Sequence, residues 1–150
     1  MGPPFVVSKT MRPQSCKSKG RRLQQRVVAD ILKAFPHLRA DDCVSTPMGA
    51  PGEDVRLSPA ARECLNLSFE CKNTEKINIW SCLEQCETNT PDGVTPCLVF
   101  SRNRSNTYAV VPWSALLELC RAVGDLGAVP PRVRTLVREL ASLVDPPGSE

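Results

Sequence analysis

The order of apolar and polar residues predicts helices and strands in alternation along the chain. Residues 17–35 carry apolar side chains at helical spacing, so they predict a long first helix that ends before Pro36. Ser58 and Asn78 stand where they can cap two later helices. The predicted strands are 42–47, 54–58, 67–73, 95–100 and 107–111, and the further predicted helices are 59–64, 79–88, 113–124 and 131–144.

The strand at 67–73 has the clearest pattern, because its apolar and polar residues alternate with a period of two. Successive side chains of a strand point to opposite faces. Glu70 and Lys72 therefore share one face with Ser68, and Phe69 and Cys71 share the other. The pattern predicts a half-buried strand whose polar face carries a carboxylate beside an ammonium group.

The order of these elements predicts an α/β fold with a mixed sheet of about five strands and helices on both faces. Strands 54–58 and 67–73 are close enough in sequence to pair as a meander. The helix at 79–88 would then cross over to the strand at 95–100. That strand is apolar almost throughout, as expected for burial on both faces, and it forms a predicted hairpin with 107–111.

Length and composition predict one soluble domain. The chain has 150 residues, of which 41% are hydrophobic. We expect a flexible basic arm at 1–16 and a single domain at 17–145. No run approaches the roughly 20 apolar residues of a membrane span, and the start is unlike a signal peptide. These features predict no membrane partner and a cytoplasmic location.

Charge is unevenly distributed along the chain. Residues 1–29 hold seven basic residues and no acidic residue, whereas the remainder has 12 basic and 16 acidic residues. A basic end on a mildly acidic body suggests a surface that docks a polyanion. A solvated tail beside a helix explains this feature equally well.

The eight cysteines raise the question of zinc or disulfides. The sequence has no Cys-x-x-Cys pair, and His37 is its one histidine. Structural zinc sites usually need closely spaced pairs of such ligands. Cys71 and Cys97 fall inside apolar strands, where a free thiol behaves as a small hydrophobic group. We therefore expect reduced, buried thiols rather than a zinc site.

Two carboxylates point to a different metal. Asp54 stands at the start of one predicted strand, and Glu70 and Lys72 lie on the next. Mg²⁺ prefers oxygen ligands, which Asp54, Glu70 and the backbone carbonyl of Cys71 would supply. Such a cation activates water and stabilises a phosphodiester transition state, and Lys72 would orient or deprotonate the water or stabilise the phosphate. The alternative is a solvated Glu70–Lys72 pair worth at most about 1 kcal/mol.

The chain resembles the PD-(D/E)xK nuclease superfamily, and within it the Holliday-junction-resolvase-like and phage-type small endonucleases. The resemblance covers roughly residues 17–120. It is carried by residues 20–25 (GRRLQQ), 52–55 (GEDV), 69–72 (FECK) and 83–85 (LEQ). It implies a restriction-endonuclease-like fold and hydrolysis of DNA with Mg²⁺, for which Mn²⁺ can substitute.

The resemblance also implies roles for individual residues. Asp54 matches the acid of the first motif, although Glu53 replaces the usual proline and is a rival ligand. Glu70 and Lys72 match the second motif. Resolvase-like members often carry a metal-reaching glutamate on the first helix, where this chain has Gln24 and Gln25. Gln85 matches a helix position that carries a polar residue near the site; a solvated glutamine fits it equally well.

The basic residues complete the expected DNA-binding surface. Side chains of this kind supply most of the affinity for phosphates and make it salt-dependent. We expect DNA as the partner, with four-way junctions or other branched DNA as substrates of a homodimer, in a host cytoplasm if the gene belongs to a phage. Tyr108 and Trp113 are expected in the core rather than as platforms on which bases stack. The expected nucleic-acid contacts are Lys19, Arg21, Arg22, Gln25, Arg102 and Arg104.

Two other functions compete with the nuclease. One is a nucleic-acid-binding module with the same fold and no catalysis, against which the intact Asp54, Glu70 and Lys72 speak. The other is a zinc or redox protein based on cysteines, which the spacing of the cysteines disfavours.

Overall fold

The computed structural model of the chain describes residues 13–128 and the single positions Arg132, Thr135 and Glu139. The chain divides into two compact units, Met1–Pro112 and Trp113–Glu150. The predicted arm lies outside the described residues as far as residue 12, and so does the predicted helix at 131–144 apart from the three single positions. The expectation of one domain at 17–145 stays a prediction. None of the described helices is both long enough and apolar enough to cross a membrane.

The predicted strands and helices of the first unit are present close to their expected bounds. The strand at 67–73 is confirmed at both ends, while the first helix begins at Pro13, four residues earlier than predicted. The elements of the first unit are α1 (Pro13–Ala34), β1 (Cys43–Ser45), β2 (Val55–Leu57), α2 (Pro59–Cys64), β3 (Leu67–Asn73), α3 (Ile79–Asn89), β4 (Thr95–Ser101) and β5 (Tyr108–Val110).

The five strands form one mixed sheet in the order β1-β2-β3-β4-β5. β2 pairs antiparallel with β3, which confirms the predicted meander, and also with β1, for which no partner was predicted. β3 and β4 are parallel, as the crossover through α3 requires, and β4 pairs antiparallel with β5 as the predicted hairpin. The mixed α/β class is therefore confirmed.

Helices cover the sheet on both faces. Leu23, Val27 and Ile31 of α1 share a core cluster with Phe69 and Cys71 of β3. Across the sheet, α3 packs against β3 and β4, and its side of β3 carries Ser68 and Glu70. The prediction of a half-buried β3 is therefore wrong for two of the three residues on its polar face, since Ser68 and Glu70 are 2% and 3% exposed. The third, Lys72, is partly exposed. The sequence shows that this face of β3 is polar. It does not show that α3 covers the face and separates it from water.

Both predicted helix caps are confirmed. The hydroxyl of Ser58 accepts a hydrogen bond from the main-chain N–H of Ala61, and Pro59 follows the cap. The side-chain oxygen of Asn78 accepts from the N–H of Ser81 at 3.3 Å. These caps satisfy donors that the first turn of a helix leaves unpaired. They fix where α2 and α3 begin.

The second unit contributes helix α4 (Trp113–Ala128), which ends four residues beyond its predicted end near Gly124. Trp113 is 70% exposed and Tyr108, on β5 of the first unit, is 55% exposed. The expectation that both aromatic residues lie in the core is therefore wrong. Tyr108 lies on the edge strand β5, where fewer neighbours are available to cover a side chain.

Candidate metal centre

The main chain fixes Asp54 between two strands. Its N–H donates to the carbonyl of Phe69 at 2.9 Å, and its carbonyl accepts from the N–H of Thr46 at 2.8 Å. Its carboxylate turns toward β3, where Oδ2 accepts a 2.7 Å hydrogen bond from the N–H of Cys71. The first carboxylate is thus bound directly to the segment that carries Glu70 and Lys72.

Glu70 and Lys72 form a short ion pair on the α3 face of β3. The distance from Lys72 Nζ to Glu70 Oε1 is 2.7 Å, and the side chains are 28% and 4% exposed. An acid this well covered by protein is not a solvated surface group. The alternative of an ordinary exposed charge pair is therefore wrong, and a buried carboxylate needs the partners that it has here.

Helix α3 supplies two of those partners. Gln85 Oε1 accepts a 2.9 Å hydrogen bond from Lys72 Nζ, and Asn89 Nδ2 donates to Glu70 Oε2 at 3.3 Å. The two amides are four residues apart, so they lie on the same side of the helix. Sequence reasoning identified Gln85 and missed Asn89, which the helical spacing from Gln85 could have found.

These groups line one polar cleft of about 360 Å³. Asp54, Glu70, Lys72 and Gln85, the four predicted catalytic residues, are thereby brought together. The loop before β2 forms one wall, and its Gly52 has φ +92°, a conformation that side chains other than glycine rarely adopt. The other lining residues are Gly20, Gln24, Met48, Gly49, Ala50, Pro51, Cys71 and Asn89.

Gln24 has an unusual position in this cleft. It is 4% exposed, and among the described residues its Oε1 has no hydrogen-bond partner. A buried acceptor without a partner costs about 1–3 kcal/mol, so native proteins rarely keep one without a use. Its neighbour Gln25 is exposed and does not line the cleft. Of the two glutamines on α1, Gln24 is thus the one that can act at the site.

The electrostatics of the cleft follow from burial and from the close charges. Burial raises the pKa of Asp54, and the negative charge of Glu70 adds to the rise. Three interactions lower this pKa: the hydrogen bond from the backbone N–H of Cys71, the positive charge of Lys72 and a hydrogen bond with the side chain of Gln24. Burial alone would lower the pKa of Lys72, but its hydrogen bond to Glu70 outweighs this, so the pKa is raised. Lys72 is therefore an ammonium at neutral pH, which suits charge stabilisation better than proton abstraction.

The donors in the cleft fit a hard divalent cation. Asp54 and Glu70 offer carboxylate oxygens, and the unpaired Oε1 of Gln24 offers a neutral one. Cys71 is among the residues that line the cleft and also belongs to the hydrophobic core cluster, so its backbone carbonyl remains the predicted ligand. Within the described part of the chain no three His, Cys, Asp or Glu side chains converge as a metal-binding group. A centre here would have two acidic side chains and otherwise neutral oxygens or water.

Glu53, the rival to Asp54, is engaged elsewhere. Both of its carboxylate oxygens accept hydrogen bonds from Arg62 Nη2, at 2.8 and 3.0 Å. Arg62 also donates from Nη1 to the carbonyl of Leu67 at 2.7 Å. Glu53 does not line the cleft, so its role is to fasten the loop before β2 to α2.

The predicted nucleic-acid contacts fall into two groups. Lys19, Arg21, Arg22 and Gln25 lie on α1, whereas Arg102 and Arg104 lie in the turn between β4 and β5. The structure adds Arg26, a basic residue of α1 that is one helical turn beyond Arg22 and was not among the predicted contacts. Arg22 and Arg26 line a second cavity of about 300 Å³ together with Leu23, Asn73 and Ser101.

That second cavity lies beside the cleft. Asn73 follows Lys72 on β3, and Leu23 precedes Gln24 on α1, so adjacent residues line the two spaces. Neither Arg22 nor Arg26 makes an ion pair or hydrogen bond with any other described residue. Because these two guanidinium groups have no partner among the described residues, they can bind an anion there.

The described cysteines are free thiols, and four of them are buried: Cys43, Cys71, Cys86 and Cys97. Burial raises the pKa of Cys43 to about 11 and that of Cys97 to about 12. These thiols remain protonated at neutral pH, so they are poor nucleophiles and poor metal ligands.

Comparison with known proteins gives no independent assignment: no protein-family model matches the chain, and neither a curated protein nor a solved structure matches it. The resemblance described above therefore depends on the sequence motifs.

Proposed function

We propose that the chain is a Mg²⁺-dependent DNA endonuclease with a restriction-endonuclease-like fold, acting on branched DNA in the manner of a Holliday junction resolvase. The observation that carries this proposal is the short ion pair between buried Glu70 and partly exposed Lys72, which shares one cleft with the anchored carboxylate of Asp54. In an ordinary surface charge pair, the carboxylate would be exposed to water, unlike that of Glu70. A site that binds a cation and a phosphate needs both the acids and the amine.

The chain's own residues divide the work of phosphodiester hydrolysis. Asp54 and Glu70 would hold the cation, with the carbonyl of Cys71. Mg²⁺, or Mn²⁺ in its place, would supply a water molecule of lowered pKa and Lewis-acid stabilisation of the phosphate. The Lys72 ammonium would stabilise the negative charge that develops on the phosphate, and Gln85 holds Lys72 in place at 2.9 Å. Gln24 Oε1 would accept a hydrogen bond from a water molecule in the cleft.

Basic side chains near the cleft support DNA as the substrate. Arg22 and Arg26 lie beside it and have no ion-pair or hydrogen-bond partner in the part of the chain that the structure describes. Arg102 and Arg104 follow the carboxyl end of β4, which is aligned in parallel with the end of β3 that carries Lys72. Contacts of this kind position a nucleic-acid backbone without reading its sequence. A homodimer would present two such sites, which suits paired cuts in a four-way junction.

Cleavage assays test the proposal. The wild-type protein is incubated with a four-way junction, linear duplex, single strands and flaps, with Mg²⁺, Mn²⁺ or EDTA. We expect junction-selective, metal-dependent cuts that Lys72→Ala and Glu70→Gln reduce by about a hundredfold or more. Lys76→Ala and Glu84→Gln make the same charge changes at exposed positions outside the cleft and should cut normally.

Two results would contradict this assignment. Cutting that persists unchanged in Lys72→Ala would mean that the activity does not belong to this cleft. If the protein binds junctions without metal and cuts none of the substrates with any metal tested, it is a DNA-binding module of the same fold.

A further inference from the structure

A pair of aromatic rings lies near the end of β4 that is aligned with the end of β3 carrying Lys72. The rings of Phe100 on β4 and Tyr108 on β5 are stacked, with centroids 5.8 Å apart and an interplanar angle of 29°. Tyr108 is nevertheless 55% exposed. Phe100 therefore supports the tyrosine ring on one side and leaves much of its surface open to solvent.

Strand register places this pair in line with the catalytic lysine. Lys72 is paired with Phe100, and Phe100 is paired with Tyr108. Side chains of directly paired residues lie on the same face of a sheet. Adjacent strands are about 4.8 Å apart, so Tyr108 lies roughly 10 Å from Lys72 across the sheet. A nucleic-acid strand bound at Lys72 can extend over that distance with a neighbouring nucleotide.

The space beside the rings has the chemistry of a nucleobase pocket. It has a volume of about 290 Å³ and is lined by both rings, Ile77, the polar residues Thr74, Ser101 and Ser105, and the charged residues Glu75 and Arg102. A base stacks on an aromatic face and forms hydrogen bonds at its edge, which these polar groups can provide. The carboxylate of Glu75 makes the pocket a poor site for a phosphate.

The turn after β4 holds the pocket in shape. The hydroxyl of Ser105 accepts from the N–H of Arg102 at 3.2 Å, and Arg104 takes up φ +56° between them. Glu75 Oε1 accepts from the N–H of Asn103 at 3.2 Å, which ties the segment after β3 to the same turn. Glu75 and Arg102 thus flank the exposed ring from two separate segments.

We propose that Tyr108 stacks on an unpaired nucleobase next to the phosphate bound at Lys72. The proposal rests on the proposed function and adds to it a substrate class: DNA in which at least one base near the cut is not paired. A base inside a duplex is stacked between its neighbours and cannot reach the ring. An unpaired base at a bulge or branch point can.

Binding without cleavage tests the proposal. In EDTA, the full chain is titrated with two labelled duplexes, one fully paired and one with a three-nucleotide bulge that contains 2-aminopurine. We expect Tyr108→Ala to weaken binding of the bulged duplex by about tenfold and binding of the paired duplex less than twofold. Tyr108→Phe keeps the ring and should bind as the wild type does. Trp113→Ala removes an exposed ring that does not line the pocket and should change neither affinity.

A change in the DNA provides a second test. Replacing the bulged bases by abasic nucleotides should weaken binding to the wild type about tenfold and abolish the difference between wild type and Tyr108→Ala. Fluorescence of 2-aminopurine should fall on binding to the wild type and to Tyr108→Phe, but not to Tyr108→Ala.

The outcomes separate this proposal from the nuclease assignment. If Tyr108→Ala binds the bulged duplex as tightly as the wild type, or loses the same factor on both duplexes, the stacking platform is overturned. That result would leave metal-dependent cutting through Lys72 intact. Loss of cutting in the assays above, with the bulge preference retained, would overturn the nuclease and keep the platform.

Discussion

The N–H of Cys71 donates a 2.7 Å hydrogen bond to Oδ2 of Asp54, across 17 residues of sequence. This contact ties the acid before β2 to the main chain between Glu70 and Lys72. It uses a donor that the strand would otherwise give to a neighbouring carbonyl or to water. The position of the first carboxylate thus depends on the backbone of the strand that carries the second.

Replacing Asp54 by Asn should destroy activity without harming the fold. The amide oxygen can still accept from the N–H of Cys71, while the charge that burial and Glu70 disfavour is removed. Because the folded-state pKa is raised above 3.8, ionisation of Asp54 reduces stability as pH rises through that folded pKa. We therefore expect a higher melting temperature than wild type at pH 7 in EDTA, with no gain below about pH 3.5.

Melting curves from pH 3 to 8 in EDTA measure this difference. Asp92→Asn, which removes an exposed carboxylate outside the cleft, is the control and should leave the curve unchanged. A variant less stable than wild type at pH 7 would show that Asp54 serves the fold rather than the site.

Removing Lys72 should expose the cost of burying Glu70. In Lys72→Met the carboxylate keeps the amide of Asn89 and loses its ion-pair partner, so we expect about 2 kcal/mol of lost stability at pH 7. The double variant Glu70→Gln/Lys72→Met should recover most of that loss, since it contains no uncompensated charge. Urea unfolding of the two single variants and the double variant gives the coupling energy. Additive losses would contradict the tight pair seen here.

Changing Gln24 to Glu should strengthen metal binding. The new carboxylate would lie close to Asp54 and Glu70, so repulsion should lower the melting temperature in EDTA. Addition of Mg²⁺ should then raise it by more than in the wild type, because a third acidic ligand increases affinity for the cation. Gln25→Glu adds the same charge at an exposed neighbour and serves as the control. Equal Mg²⁺-induced shifts in both variants would place the cation elsewhere.

Arg22 and Arg26 should contribute to DNA affinity through phosphates. Replacing either by Ala should weaken binding of all DNA sequences alike and reduce the slope of log K against log salt by roughly 1. Fluorescence anisotropy titrations between 50 and 200 mM salt would measure this slope for each variant. Arg39→Ala removes an arginine whose side chain is 79% exposed outside both cavities, and should leave the slope unchanged. The same slope in Arg22→Ala and wild type would exclude a phosphate from the second cavity.

The buried thiols should be unreactive in the folded protein. Cys43, Cys71, Cys86 and Cys97 are covered by the core, and burial raises their pKa values. We expect alkylation of exposed Cys64 and Cys120 at pH 8, and of the four buried cysteines only after unfolding. Mass spectrometry of peptides after brief labelling assigns each site. Fast labelling of Cys97 in the folded protein would contradict its position in the sheet.

Local patterns predicted the elements well, because their causes are local. The period-two alternation of 67–73 and the helical stripe of α1 arise from the geometry of single elements. The caps at Ser58 and Asn78 depend on the neighbouring turn alone. The motif acids were likewise found by their spacing along the strands, although that spacing by itself does not show a catalytic role.

Residue properties that depend on packing were predicted less well. The sequence favoured Asp54 by its motif position but left Glu53 as a rival ligand, and only the structure shows that Arg62 of α2 binds Glu53. Tyr108 was expected in the core and is exposed, since an edge strand lacks a neighbour on one side.

By itself, the sequence determined the helices, the strands, the pairing of β2 with β3 and of β4 with β5, and the crossover through α3, together with two acids and a lysine at matching strand positions. Only the tertiary structure decided that Glu70 is enclosed beneath α3, that Gln24 rather than Gln25 faces the cleft, and that Asn89 and Arg26 join the surroundings. The physical reason is that an element forms from interactions between near neighbours in the chain. Burial, hydrogen-bond partners and the pKa of a side chain are set by residues from other elements that pack against it.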